Sequence, residues 1–399
     1  MRSPFKDLPR EVAVLAAVAV AVAVGFGVVA PAIPEFARSF GVGKTAAGAV
    51  ISAFALMRFV SALGGGRLVD AFGERVILAS GIGIVAVSTG LAGLSQSYPQ
   101  LLILRGIGGI GSAMFTVSAT ALLFRVVDGR SRGRASGLFQ SGFLIGGLLG
   151  PLAGGFLTDY SLRLPFYVYA VSLIAAGSIG FGFLTSARAR PDPEPADEES
   201  AAEPEVQSTS FAEAWSHPAY RAAVVANFGT GWALFGVRMS LIPLFVTEGM
   251  LLRPVWTGVG FLCSSVAQAL LLVVAGRYVD RRGRRPAIIV GALVCGLAYV
   301  LLAMSTWLPA FLLAMTAVGV GGAFLGTAPG AVVGDIMRGR GGRVVAVFQM
   351  SSDLGAITGP LAAGWLADSV SFGSAFLLSA LVLFVAMGAA IRMPESLAR

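Results

Sequence analysis

Four charged residues lie deep inside long apolar segments of the sequence: Arg58, Arg105, Arg238 and Asp353. A charge at the centre of a membrane helix costs about 2.5–3.5 kcal/mol on insertion scales, so we expect each to serve a cavity or a partner. A carboxylate that an arginine approaches in one state and leaves in another can bind and release a proton. We therefore predict that Asp353, Arg105 and Arg238 take part in proton coupling. A permanent Asp353–Arg238 ion pair that holds two helices together is the alternative.

Other polar and aromatic side chains in the same segments are candidates for the wall of a substrate cavity. Gln349 precedes Asp353 by four residues, and Asn227 precedes Arg238 by eleven, so each pair is expected to share a helix face. Three in-span arginines against one aspartate leave an excess of positive charge, which keeps anionic and zwitterionic substrates open. The cavity candidates are Arg58, Asn227, Trp232, Phe139, Gln140, Phe143, Gln268 and Gln349.

Two further acids lie at the ends of apolar segments. Glu35 follows the first segment and is interpreted as an interfacial group, with a gate as the alternative. Asp335 lies at the end of the tenth segment and is interpreted as a helix-end cap.

The elements that must position these residues are hydrophobic helices. The chain of 399 residues is 56% hydrophobic and 13% charged, whereas soluble domains carry about a quarter charged residues. A membrane-crossing helix needs about 20 apolar residues, and its backbone groups must be satisfied within the segment. The sequence predicts an all-α membrane protein with twelve spans, near residues 11–34, 46–68, 75–94, 99–123, 134–158, 165–185, 221–245, 255–276, 286–305, 308–334, 343–367 and 372–391.

The chain contains two copies of one unit. A loop pattern recurs 210 positions later, so that Gly66, Asp70, Gly73 and Arg75 match Gly276, Asp280, Gly283 and Arg285. A Gly-Pro segment recurs 209 positions later, so that Gly150, Pro151, Gly155 and Asp159 match Gly359, Pro360, Gly364 and Asp368. We predict bundles at 1–185 and 213–399, each of six helices, with a flexible linker at 186–212 that is rich in Pro and Glu. Parallel repeats with a substrate site between them are typical of secondary transporters.

Alignment of the two copies separates the scaffold from the charges. Arg58 corresponds to Gln268, Arg238 to Val29, Asp353 to Leu144 and Arg105 to Met315. Because an uncharged residue is found at each equivalent position, the fold itself does not require these charges.

The two loops resemble the G-x-x-x-D-[RK]-x-G-[RK]-[RK] signature of the major facilitator superfamily. The resemblance implies two pseudo-symmetric six-helix bundles and a cytoplasmic gate formed by Gly66, Asp70, Gly73 and Arg75 and by their second copy, Gly276, Asp280, Gly283 and Arg285. The first copy departs from the signature, because Ala71 and Glu74 stand at positions that are basic in the family.

The fifth segment resembles the glycine-rich antiporter motif of drug–proton antiporters in this superfamily, through Gly146, Gly150, Pro151, Gly154 and Gly155. Proline can kink the helix and glycine lets a neighbouring helix approach closely. The segment around Arg105 resembles the span-four signature, which implies a role in proton coupling. The resemblance implies proton-coupled efflux of small amphipathic compounds. Proton-coupled transport or exchange of an anionic or zwitterionic metabolite is the alternative.

Charge distribution and missing motifs complete the expectations. Only four of the 29 Lys and Arg fall in loops on one side if both termini are cytoplasmic, namely Arg38, Lys44, Arg163 and Arg253. This bias explains the net charge of +8, so no binding of nucleic acid is needed to account for it. No ATP-binding loop, metal-ligand spacing or catalytic pair is found, so we expect no enzyme and no cofactor beyond a proton gradient. The expected partners are a small-molecule substrate, protons and lipids, around a monomer in a bacterial cell membrane.

Overall fold

The structure, a computed structural model, describes residues 9–127, 132–183, 209–337 and 342–397. Within these ranges all regular secondary structure is helical. The proposed linker at 186–212 lies outside them, apart from its last four residues.

The first half of the chain forms seven helices. Six are long, and the short α2 continues the direction of the first span after a break at Pro31. The helices are α1 (Arg10–Val29), α2 (Ala32–Arg38), α3 (Lys44–Phe72), α4 (Glu74–Gly93), α5 (Tyr98–Val126), α6 (Arg132–Tyr160) and α7 (Leu164–Phe183).

The second half repeats this order after a short additional helix. Its elements are α8 (Phe211–Ser216), α9 (Pro218–Thr230), a π-helical segment (Gly231–Val237), α10 (Arg238–Leu244), a second π-helical segment (Phe245–Gly249), α11 (Val255–Arg282), α12 (Arg284–Met304), α13 (Leu308–Leu325), α14 (Ala328–Ile336), α15 (Gly342–Ser369) and α16 (Phe372–Arg392).

Eleven helices in the described part of the chain are long and apolar enough to cross a membrane. The predicted count of twelve is therefore not confirmed, although the all-helical fold class is. The predicted span at 343–367 corresponds to α15, which has 28 residues but is not among the eleven. The polar run from Gln349 to Asp353 lowers the hydropathy of this helix, so α15 needs neighbouring helices around it.

The π-helical segment at Gly231–Val237 changes which residues of the seventh span share a face. A π turn holds more residues than an α turn, so side chains beyond it rotate relative to those before it. The predicted common face of Asn227 and Arg238 is consequently not kept. The Asn227 amide donates to the Phe348 carbonyl on α15 at 2.7 Å, whereas the Arg238 guanidinium donates to the Ser264 hydroxyl on α11 at 3.0 Å.

Each half has its own hydrophobic core. In the first half, Leu78, Ile82, Phe115 and Phe166 are buried together between α3, α4, α5 and α7. In the second half, the core is larger and runs from Tyr220 on α9 to Leu383 on α16. Leu244 of the second half is buried in the core of the first half, so the two bundles share apolar packing where they meet.

The bundle has two distinguishable ends. The motif end carries the turns α3–α4 and α11–α12, where Gly73 has φ 80° and Gly283 has φ 116°. Only glycine adopts these angles without strain, which explains the repeated glycine of the loop pattern. The end that carries Lys44, the first residue of α3, is called the opposite end below.

Candidate functional site: the interface between the two halves

Two ion pairs join the halves at the opposite end, and the sequence repeat relates one to the other. Asp159 at the end of α6 binds Arg253, which precedes α11. Asp368 near the end of α15 accepts backbone hydrogen bonds from Lys44 and Thr45, each at 2.8 Å. The Lys44 ammonium lies 3.8 Å from the same carboxylate.

The sequence repeat relates these residues by an offset of 209 positions. Asp159 corresponds to Asp368, and Lys44 corresponds to Arg253. Each half therefore supplies one acid and one base to the closure. The Asp159 carboxylate also raises the pKa of the Arg253 guanidinium, mainly through their hydrogen bond.

A third pair completes the closure at this end. Arg38 Nε lies 2.6 Å from Glu248 Oε1, and the Lys44 ammonium lies 3.7 Å from Glu248 Oε2. Glycines allow the backbones to meet beside these charges. A Cβ at Gly155 would lie 3.0 Å from the Gly258 Cα of the other half.

The Arg58–Asp353 ion pair joins the halves at a deeper level. Arg58 follows Lys44 by 14 residues and Asp353 precedes Asp368 by 15, so the pair lies about 20 Å along the helices from the opposite end. Among hydrogen bonds and ion pairs between described residues, none links the halves nearer to the motif end. Between described residues, Arg58–Asp353 is thus the innermost polar contact across the interface.

This deep pair breaks the pseudo-symmetry of the interface. Arg58 on α3 and Asp353 on α15 correspond to Gln268 on α11 and Leu144 on α6, which cannot form an ion pair. The pairing also differs from the alternative considered above, because Asp353 binds Arg58 and not Arg238.

The other two in-span arginines lie inside the separate bundles. Arg105 is 3% exposed, its guanidinium carbon lies 4.5 Å from the ring centre of Phe54, and its Nε has no hydrogen-bond partner. Arg238 lies 5.5 Å from the ring centre of Phe261, donates to Ser264, and also has an unpartnered Nε. Neither forms an ion pair with a described carboxylate.

The remaining cavity candidates occupy different environments. Trp232 is buried in the core of the second half, where its indole N–H donates to Ser379 at 3.2 Å. Phe139 is buried in the first half and packs edge-on against the half-buried Phe143. These aromatic residues pack within one half in this state instead of lining an open wall.

The polar candidates divide into one structural residue and two accessible ones. Asn227 fastens α9 to α15 through the Phe348 carbonyl. Gln268 is half-buried near Gly322, and Gln349 is exposed. The side chain of Gln140 lies outside the described part of the structure.

The glycines of the fifth segment form the contact between α6 and α1. A Cβ at Gly150 would lie 2.7 Å from the Gly27 Cα, and one at Gly154 would lie 3.0 Å from the Pro31 ring. Gly146 faces Ala23 on the same stripe, while Gly155 faces the other half. Pro151 lies within α6 beside Gly27, so close packing surrounds the position where the helix lacks a backbone hydrogen bond.

The motif end contains the same ion pair twice with its charges exchanged. In the first half Glu74 pairs with Arg125 at 2.8 Å, and in the second half Arg284 pairs with Asp335 at 3.0 Å. Glu74 corresponds to Arg284 and Arg125 corresponds to Asp335, in each case with an offset of 210 positions. The departure of Glu74 from the loop signature is therefore compensated by Arg125. Asp335 is a partner of Arg284 and not a simple helix cap.

A second motif-end contact is made by an arginine in both halves. Arg75 donates to the Phe181 carbonyl, and Arg285 donates to the Ile391 carbonyl at 2.6 Å, again 210 residues apart. In both halves this arginine ties the turn to the last long helix. In the second half Glu395 additionally accepts from the backbone N–H of Arg284 at 2.8 Å. The surroundings of Gly66 and of the Asp70 side chain lie outside the described part of the structure, and Asp280 Oδ1 lies 3.4 Å from a terminal guanidinium nitrogen of Arg284.

Sequence reasoning overlooked the interface bases and one acid. The sequence repeats Asp159 as Asp368, and the matching repeat of Lys44 as Arg253 is the signal that identifies two of the interface bases. Arg38 and Glu248 have no such signal, because their pairing depends on two segments that meet only in the folded molecule. Across the described ranges, no group of three or more His, Cys, Asp or Glu residues could hold a metal ion.

Comparison with known proteins agrees with this architecture. The family model for the Major Facilitator Superfamily matches residues 15–263 and 256–397. An uncharacterized MFS-type transporter of Methanocaldococcus jannaschii is 26% identical over 364 residues, which cover 90% of this chain and 92% of that protein. Multidrug resistance protein 1 of Bacillus subtilis is 31% identical over 153 residues, 38% of this chain and 39% of that protein. The quinolone resistance protein NorA of Staphylococcus aureus is 29% identical over 143 residues, 36% of this chain and 37% of that protein.

Solved structures show the same fold at low identity. A bacterial homologue of the human lysosomal transporter Spinster has a TM-score of 0.76 at 16% identity, with 95% of each chain covered. The nucleoside transporter NupG has a TM-score of 0.71 at 12% identity, with 96% of this chain and 98% of that chain covered. The family match spans nearly the whole sequence, and the chain belongs to the Major Facilitator Superfamily of multi-pass secondary transporters.

Proposed function

We propose that this protein exports small amphipathic compounds in exchange for protons, with Asp353 as the proton-binding residue. The observation that carries the proposal is the Arg58–Asp353 ion pair, which crosses the interface on only one of two pseudo-symmetric sides. A pair that bridges the two halves must break when they separate there. Loss of the arginine favours the protonated acid, so the conformational change and proton binding are coupled.

The positive-inside rule supports placing the motif end in the cytoplasm of a bacterial cell, with both termini on that side. In that orientation the halves are closed toward the exterior by the three ion pairs of the opposite end. The Arg58–Asp353 pair then belongs to the state that has released its proton toward the cytoplasm and can accept a substrate. Opening toward the exterior separates α3 from α15 and lets Asp353 take a proton from outside.

Two observations favour export. The matches to the multidrug and quinolone resistance proteins support an amphipathic substrate. The close contact of α6 with α1 through Gly150 and Gly154 is the arrangement that the resemblance to the antiporter motif implies. The energy source of the proposed cycle is the proton gradient, and no cofactor is required.

The test is proton movement driven by substrate. The purified protein is reconstituted into vesicles with a pH-sensitive dye inside, and a panel of cationic, neutral and anionic amphipathic compounds is added without an imposed gradient. We expect at least one compound to drive proton movement in the wild type and none to do so in Asp353→Asn. Substrate-driven proton movement that survives this substitution would rule out Asp353 as the carrier.

Transport of an anionic or zwitterionic metabolite is the second candidate function. It is favoured by the buried Arg105 and the half-buried Arg238, neither of which forms an ion pair with a described carboxylate. A substrate carboxylate or phosphate between them would supply the missing negative charge. Uptake of a labelled organic anion that is lost in Arg238→Gln but retained in Arg277→Gln, a change at an arginine of the motif end, would support this function over drug export.

A further inference from the structure

Glu35 on α2 is a buried acid at the interface between the halves. Glu35 is 9% exposed, and its Oε1 has no hydrogen-bond partner among the described residues. Burying an ionised carboxylate without a partner costs far more than burying the neutral acid, and such groups take up a proton instead.

No cation in the described part of the chain is paired with Glu35. Three acids close the opposite end, and each is already matched with a base: Asp159 with Arg253, Glu248 with Arg38, and Asp368 with Lys44. Glu35 is thus a fourth acid among three matched pairs.

The elements that pack against α2 bring few charges to Glu35. The one charged residue of α10 is Arg238, which donates to Ser264 on α11. From α6 comes Asp159 and from the π segment after α10 comes Glu248, and both act on Glu35 as negative charges. From α3 comes Lys44, which is engaged by Glu248 and Asp368. Arg163, before α7, donates to the Ser95 carbonyl and lies over the Phe36 ring. The sequence of α1 has no charged residue after Glu11.

The repeat shows that the fold does not need an acid at this position. With the offset of 209 that relates Lys44 to Arg253, Glu35 corresponds to Leu244. Leu244 is 1% exposed and is packed into the hydrophobic core of the other half. The pseudo-symmetric position therefore holds a neutral side chain when the opposite end is closed.

We propose that Glu35 is a second proton-binding residue, neutral while the opposite end is closed and ionised once that end opens to water. The inference rests on the alternating access of the proposed function, but it assigns Glu35 a different task from Asp353. Glu35 takes its proton from the opposite side and returns it there, so it moves no proton across the membrane. It makes the closure depend on pH at that side, with acid favouring the closed state.

The first test reads the protonation of Glu35 directly and requires no transport. Infrared spectra of the reconstituted protein in D₂O at neutral pD contain the carbonyl stretch of each protonated carboxyl group. We expect Glu35→Gln to remove one such band and Glu35→Asp to shift it, while the control Glu213→Gln, at an exposed acid of the motif end, leaves it unchanged. An unaltered band pattern in Glu35→Gln overturns the proposal, whatever the outcome of the proton-movement test for Asp353.

The second test measures closure. Spin labels are placed at Gln96 and Thr306, two exposed loop residues at the opposite end of different halves, after Cys263→Ser and Cys295→Ala. The labelled protein also carries Asp353→Asn, so that protonation of Asp353 does not contribute to the pH dependence of the label distances.

In this background we expect the population with separated labels to rise as the pH is raised, because opening lets Glu35 ionise. The shift should be lost on adding Glu35→Gln. A pH-dependent shift of equal size in both proteins overturns the inference, and so does a shift toward closure at high pH. Substrate-driven proton movement by the wild type is measured separately, so failure of the export proposal leaves these two readings interpretable.

Discussion

At the scale of single residues, the informative charges are those that the two halves do not share. Arg58 and Asp353 meet across the interface, whereas their equivalents Gln268 and Leu144 are uncharged. Arg105 and Arg238 lie over the rings of Phe54 and Phe261 and remain inside their own bundles. The four charges therefore divide into one ion pair that bridges the halves and two cations that each lie within one half.

The first prediction replaces the deep pair with its own pseudo-symmetric equivalents. Arg58→Gln alone leaves Asp353 without its partner and should lower stability by about 1–2 kcal/mol. This is less than the 3–5 kcal/mol of a fully buried pair, because the Arg58 side chain is 41% exposed. The double variant Arg58→Gln, Asp353→Leu should recover most of the loss and still lack substrate-driven proton movement.

Thermal unfolding in detergent and the vesicle assay measure the two effects. The single variant Asp353→Leu serves as the matched control for stability, since it leaves Arg58 unpaired. A double variant that is less stable than both single variants would contradict the interpretation that the fold accepts neutral residues here.

At the scale of elements, the contact between α1 and α6 depends on glycine at every fourth position of α6. The prediction compares Gly150→Ala with Gly147→Ala. A Cβ at Gly150 would lie 2.7 Å from the Gly27 Cα, whereas a Cβ at Gly147 would meet no atom of another helix within 4 Å.

Gly150→Ala should therefore cost about 1–3 kcal/mol through overpacking and slow the transport cycle, while Gly147→Ala should be neutral or slightly stabilising. Thermal unfolding and initial transport rates distinguish the two variants. Equal melting temperatures for both would show that α6 shifts freely against α1.

The motif-end pairs permit a second prediction at the element scale. Glu74→Arg should place like charges together with Arg125, and Arg125→Asp should do the same with Glu74. The double variant recreates the arrangement of Arg284 and Asp335 and should restore stability. We expect a coupling energy of about 1 kcal/mol, at the low end of the range for contacting residues because Arg125 is half exposed.

A double-mutant cycle of unfolding free energies measures this coupling. The pair Glu74→Gln and Arg125→Gln provides a control in which both charges are removed. A coupling energy near zero in both cycles would mean that the exchange of signs between the halves has no energetic role.

At the scale of the whole molecule, closure of the opposite end depends on acids and bases supplied reciprocally by the halves. Asp159→Asn and Asp368→Asn together should weaken closure, since each change removes the acid of an ion pair between the halves. The expected result is a several-fold larger population with separated labels at Gln96 and Thr306. Glu213→Gln, at an exposed acid of the motif end, should leave the label distances unchanged. An unaltered distance distribution in the double variant would assign closure to apolar packing alone.

Much of this molecule could be predicted from residue types and spacing. Hydrophobic length and composition predict membrane helices, and the repeats of Gly73 as Gly283 and of Pro151 as Pro360 predict two related halves. The count of twelve spans was not confirmed, because the polar residues around Asp353 make α15 less apolar than the other long helices. The expected common face of Asn227 and Arg238 was wrong, because no residue pattern in Gly231–Val237 announced a π-helical turn.

The sequence by itself determined the family, the helical class, the duplicated scaffold and the set of charges that the duplication does not explain. Only the tertiary structure decided which charges meet: Asp353 with Arg58, Glu74 with Arg125, and Glu35 with no cation among the described residues. The physical reason is range. Hydropathy and turn-forming glycines act within a few residues, whereas an ion pair requires two side chains from distant segments to reach about 4 Å. That distance depends on helix rotation and on the relative position of the two bundles, which no local pattern encodes.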